Sequence, residues 1–66
     1  MTKKDKISRA RHEADRFMAR CDELIERYEN DSRFRAMLEL GGASKEMGAV
    51  KRASMDLSRA LTELRR

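Results

Sequence analysis

Few side chains in this 66-residue sequence stand at a spacing that chemistry could use. The one histidine, His12, lies beside Arg11 on the polar side of a helical pattern, with no Cys, carboxylate or second His at a catalytic or metal-ligand spacing. It reads as a surface histidine. The one cysteine, Cys21, falls between Phe17 and Leu24 in the apolar series, where a thiol serves as a small buried hydrophobe. Asp15, Asp22, Glu26 and Glu29 share a helix face, yet a di-metal site in a bundle takes an inward Glu-x-x-His pattern that is missing. Gly41, Gly42 and Gly48 lack the Lys-Ser/Thr that follows a phosphate-cradling loop. The reading is a non-enzymatic chain with no catalytic residue, metal, cofactor or small-molecule substrate.

What remains is charge. Lys and Arg number 16 against 12 Asp and Glu, for a net +4. The balance is uneven, +4 over residues 1–12, −3 over 13–44 and +3 over 45–66. Arg9, Arg16, Arg20 and Arg27 form a positive stripe on one flank of the first predicted helix, and Asp15, Asp22, Glu26 and Glu29 a negative stripe on the other. Arg16 with Arg20, and Asp22 with Glu26, are like charges four residues apart, which cost an isolated helix roughly 0.2–0.5 kcal/mol per pair. Helix stability alone does not select such segregation. The arginine stripe suits docking to a protein partner or to phosphates, and it equally suits salt bridges to neighbouring helices of a bundle.

Lys45, Arg52, Arg59 and Arg66 recur every seven residues on the last helix, spaced like a phosphate rail. Arg52 with Asp56 and Arg59 with Glu63 are also opposite charges at i, i+4, as on any solvated face. Lys3, Lys4, Lys6, Arg9 and Arg11 have only Asp5 to neutralise them, which makes them a nucleic-acid candidate or, more plainly, a solubilising tail. No aromatic residue is interleaved for base stacking, and no helix-turn-helix, zinc-finger or ribonucleoprotein motif is present. Binding of that kind would carry little sequence preference.

The elements that must present these charges follow from apolar spacing. Ile7, Ala10, Ala14, Phe17, Cys21, Leu24 and Tyr28 step by 3 and 4 in alternation, a heptad seam that calls for a partner helix, and Met18 and Ile25 widen it. Thr2 and Asp5 have capping-box spacing, so a helix begins near Lys3, although three lysines in its first turn oppose the helix dipole and predict fraying over residues 1–6. Asn30, Asp31 and Ser32 interrupt the seam, which predicts a break or kink and then a short helix to about Leu40. The alternative is one unbroken helix over 3–40. Gly41 and Gly42 stop the chain and Ser44 caps a helix over 44–65, in which Met47, Val50, Ser54, Leu57, Leu61 and Leu64 repeat the seam beside Ala49, Ala53 and Ala60. Gly48 in its first turn permits close backbone approach.

An antiparallel hairpin closed at Gly41 and Gly42 places residue i near roughly residue 83 − i, so that Leu57 meets Glu26 and Leu64 meets Ala19. Residues 2–15 then overhang and need cover, which predicts a homodimer or larger coiled-coil-like bundle. A single all-α helical-hairpin domain over 1–66 fits the length, and so short a chain buries only about 60% of its unfolded surface. The lone cysteine and the lack of a signal-like or membrane-length apolar run predict a reducing, cytoplasm-like compartment. In size and hairpin organisation the chain resembles the small RNA-binding helical hairpins that dimerise into four-helix bundles, with no motif residue in common. The leading expectation is a small regulator, inhibitor or adaptor that binds a protein through its charged helix faces. A nucleic-acid-binding bundle using Lys3, Lys4, Lys6, Arg9, Arg11, Arg52 and Arg59, and a structural subunit of a larger assembly, are the alternatives. Met55 is expected on the exposed side of the last helix, where it could join Met37 and Met47 in an adaptable surface.

Overall fold

The first helix, α1 (Lys3–Asn30), starts where its capping box closes. The Thr2 hydroxyl accepts from the Asp5 N–H at 3.1 Å and the Asp5 carboxylate from the Thr2 N–H at 3.4 Å, which satisfies donors that a helix start leaves orphaned. The computed structural model describes residues 2–66, and Lys3 to Lys6 form the first turn of this helix.

A single residue ends α1 and begins α2 (Ser32–Glu39). Asp31 is extended (φ −134°, ψ 101°), its N–H reaches the Arg27 carbonyl at 3.0 Å, and one carboxylate oxygen accepts from the Arg33 and Phe34 N–H groups, both at 3.1 Å. One side chain thus caps the second helix while its own backbone closes the first. Arg35 covers the freed carbonyls of α1, donating from Nε to Tyr28 at 3.1 Å and from Nη2 to Glu29 at 3.2 Å. The break predicted at 30–32 is therefore present, and the unbroken helix over 3–40 does not form.

The stop at the glycines takes the form of a Schellman motif. Gly41 (φ +88°) donates to the Leu38 carbonyl and Gly42 to that of Met37 at 2.9 Å. A Cβ on Gly42 would lie 2.6 Å from Met37 Cγ and 2.8 Å from the Met37 carbonyl oxygen, so the second glycine is needed for close approach. Ser44 then caps α3 (Lys45–Arg65), its hydroxyl accepting from the Met47 N–H at 3.0 Å.

Helix α3 runs back along α1. Arg16 pairs with Asp56 at 3.6 Å and Arg27 with Glu46, which sets the register so that residue i faces about residue 73 − i. The predicted register is wrong by about ten residues. It assumed a chain that stays straight to Gly41, whereas the break at Asp31 takes α2 out of line and makes it part of the connection. Leu64 consequently lies opposite about Arg9 rather than Ala19, and Ala10, assigned to the uncovered overhang, is buried. The long overhang does not form: only the first turn of α1, ahead of about residue 8, extends past the end of α3.

The line of α3 that meets α1 also differs from the predicted one. Ala53 and Ala60, read as a flanking stripe, are buried, while Ser54, in the middle of the expected seam, is exposed and Val50, Leu57 and Leu61 are only half-buried. Alanines let the backbones come close, and the larger side chains are displaced to one side. Gly48 plays no part in this approach, because a Cβ there would meet nothing within 4 Å. Along the α1 seam Ala10 is buried, Ala14, Phe17, Cys21, Leu24 and Tyr28 are half-buried, and Ile7 is exposed.

Candidate functional site

The hairpin has two unlike sides. At about 100° per residue, Ile7, Met18 and Ile25 fall within about 20° of one another, roughly 60–80° from the Ala10–Tyr28 line that faces α3. They are 56%, 55% and 53% exposed. On α3, Val50, Leu57, Leu61 and Leu64 lie to the same sense of the Ala53–Ala60 line. In antiparallel helices equal senses of rotation land on one side of the pair, so these residues form a single apolar face. The cross-helix ion pair Arg16–Asp56 occupies the other side.

The apolar face has charged borders. Asp15, Asp22, Glu26 and Glu29 follow its α1 edge, Lys51 and Arg65 its α3 edge, and none of these six makes an ion pair among the described residues. On the helical wheel the negative stripe borders Met18 and Ile25.

The arginine stripe is mostly engaged within the chain. Arg16 binds Glu13 at 2.8 Å as well as Asp56, Arg20 binds Glu23 at 3.0 Å, and Arg27 joins Glu46 while lying 4.3 Å above the Phe34 ring. Of the four, Arg9 makes no ion pair among the described residues. Glu46 has its carboxyl held below the usual carboxylate range, first by a hydrogen bond to backbone at the start of α3, against the opposing pull of burial, and then by Arg27 and Lys45. These contacts hold α1 to α3 near the open connection.

The α3 rail behaves otherwise. The expected pairs Arg52–Asp56 and Arg59–Glu63 are not made: Asp56 reaches across to Arg16, and Glu63 meets Arg66 at 3.8 Å. Arg52, Arg59 and Lys45 are left without a carboxylate among the described residues. Lys45 and Arg52 converge with Arg16 and Arg20 on an open cleft of about 460 Å³ whose remaining lining is Gly48 and Ala49. Sequence reasoning had these four residues in two separate stripes; only the register across the hairpin brings them together.

The basic N-terminal cluster is spread around the first turns of α1, with Lys3, Lys4, Arg9 and Arg11 exposed and Lys6 half-buried. His12 is exposed and Cys21 is a half-buried free thiol. Met55 is 64% exposed. Among the described residues no group of three or more His, Cys, Asp and Glu is placed to hold a metal ion, and no helix is long and apolar enough to cross a membrane. No family model, no curated protein and no solved structure matches this chain.

Proposed function

We propose that this protein is a small non-enzymatic regulator or adaptor, working in a reducing, cytoplasm-like compartment, whose protein contacts are made through the apolar side of the α1–α3 hairpin. The observation that carries the reading is the exposure of Ile7, Met18 and Ile25 beside the half-buried Val50, Leu57 and Leu61, where only four of the described residues are buried, Ala10, Phe34, Ala53 and Ala60. A contiguous apolar face rimmed by charge is the mark of an association surface. The arginine stripe is the weaker candidate for a protein partner, since the cleft beside Arg16 and Arg20 has no large apolar side chain to anchor one.

The first occupant of the face is a second copy. Laid face to face about a two-fold axis parallel to the helices, α1 of one protomer covers α3 of its partner. The acidic edge of Asp15, Asp22, Glu26 and Glu29 then meets the basic edge of Lys51 and Arg65, twice over. The result is a four-helix bundle with both outer sides free. Light scattering on the pure protein is expected to give twice the chain mass of 7.7 kDa. Met18→Glu with Ile25→Glu is expected to return it to one chain mass and, because folding then lacks the burial a second copy supplies, to lower its helicity. A wild-type monomer at all concentrations would assign the face to a different protein and defeat the homodimer.

A further inference from the structure

We infer that the cleft lined by Arg16, Arg20, Lys45 and Arg52 is a binding site for the phosphodiester backbone of a nucleic acid. It lies on the side of the hairpin away from the apolar face and goes beyond the association just described.

Each helix supplies two cations, and no carboxylate lines the cleft. Glu13, Glu23 and Asp56 stand at its rim, but they are engaged by Nη1 of Arg16 and Arg20. Both guanidinium groups therefore keep Nε and Nη2 as donors, and a planar fork of that kind matches a phosphate oxygen pair. Lys45 and Arg52 make no ion pair among the described residues, and Gly48 lines the cleft with no side chain to displace. The cleft is open rather than enclosed, and cationic side chains continue beyond it. Arg59 on α3 and then Arg66, its C-cap, which also meets Glu63, follow Arg52 at steps of seven residues, about 10.5 Å each. A linear polyanion can track such a row.

An acidic protein segment fits less well. Tight peptide recognition rests on apolar anchors seated in pockets, and the cleft lining has only Ala49 to receive one. With no aromatic side chain in the lining there is nothing for a base to stack on. Contacts of this type position a protein on a nucleic acid without reading its sequence.

The test is fluorescence anisotropy of the whole protein with a labelled mixed-sequence DNA duplex. Four phosphate contacts at a log–log slope of about −0.9 each predict binding that weakens about 150-fold between roughly 50 and 200 mM salt. Arg52→Glu is expected to weaken binding at low salt at least tenfold and to flatten the slope by about one. Arg33→Glu, the same change of charge on α2 outside the cleft lining and the apolar face, is expected to weaken it less than threefold. Lys45→Glu repeats the test on a second unpaired cation, with circular dichroism confirming that each variant is folded. The inference is overturned if the duplex does not bind at low salt, or if Arg33→Glu does as much damage as Arg52→Glu and Lys45→Glu. It is overturned equally if polyglutamate at matched charge displaces the duplex completely, which would assign the cleft to an acidic protein segment.

Discussion

Tyr28 donates its phenol hydrogen to Glu39 at 2.6 Å while Arg35 lies 5.4 Å from its ring centroid, so one side chain at the end of α1 meets two from α2. The bond to Glu39 is the main reason the phenol is harder to ionise than usual, with burial and the carboxylate charge adding to it and Arg35 pulling the other way. A folded-state pKa above the unfolded value means that this contact contributes below the ordinary tyrosine pKa and is lost as pH rises through the raised one. Since the chain has one tyrosine, phenolate absorbance reports this group alone. The titration is expected above the ordinary tyrosine value, and Glu39→Gln is expected to move it down towards that value. An ordinary titration unaffected by Glu39→Gln would mean that the bond does not form in solution. At this scale the sequence was legible for single residues and poor for pairs. The exposure of His12 follows from its neighbours, but nothing local reveals that Asp56 prefers Arg16 to Arg52, because that choice depends on the distance between two helices.

The element that decides the shape is Asp31. Its side chain makes two of the bonds that let α2 begin at once after α1 ends, and the turn it creates moves the fold-back point away from the glycines. Caps, stops and the break itself are local events written in Thr2, Asp31, Gly41, Gly42 and Ser44, which is why they could be read from the sequence. The helix register could not. It is set by the direction α2 takes, and that direction depends on Arg35 reaching the Tyr28 and Glu29 carbonyls and on the burial of Phe34. The choice of the Ala53–Ala60 line over the leucine line was likewise hidden, since a wide apolar arc leaves the contact direction open until the partner helix is placed. Replacing Asp31 by Ala removes a cap and is expected to cost about 1 kcal/mol, read as a lower urea midpoint with the slope unchanged. If the midpoint does not move, the cap is dispensable and the bend is held by Arg35 and Phe34 instead.

The whole molecule measures 46 × 18 × 14 Å with a radius of gyration of 14.7 Å, against about 11 Å for a compact domain of this length. So elongated a pair of helices, with most of its large apolar side chains at least partly exposed, has little core of its own, and the face bearing Ile7, Met18 and Ile25 is where further burial is available. If a second copy supplies that burial, unfolding and dissociation are one event and stability depends on concentration. A hundredfold dilution then removes about 2.7 kcal/mol per dimer, or about 1.4 kcal/mol per chain. At roughly 4–8 °C per kcal/mol for a domain of this size, the melting temperature is expected to fall by about 5–11 °C. Thermal melts followed by circular dichroism across that range measure it directly. A constant melting temperature would mean that the alanine-lined contact between α1 and α3 suffices for folding, and the apolar face would then be open in the free protein, available to a partner of another kind.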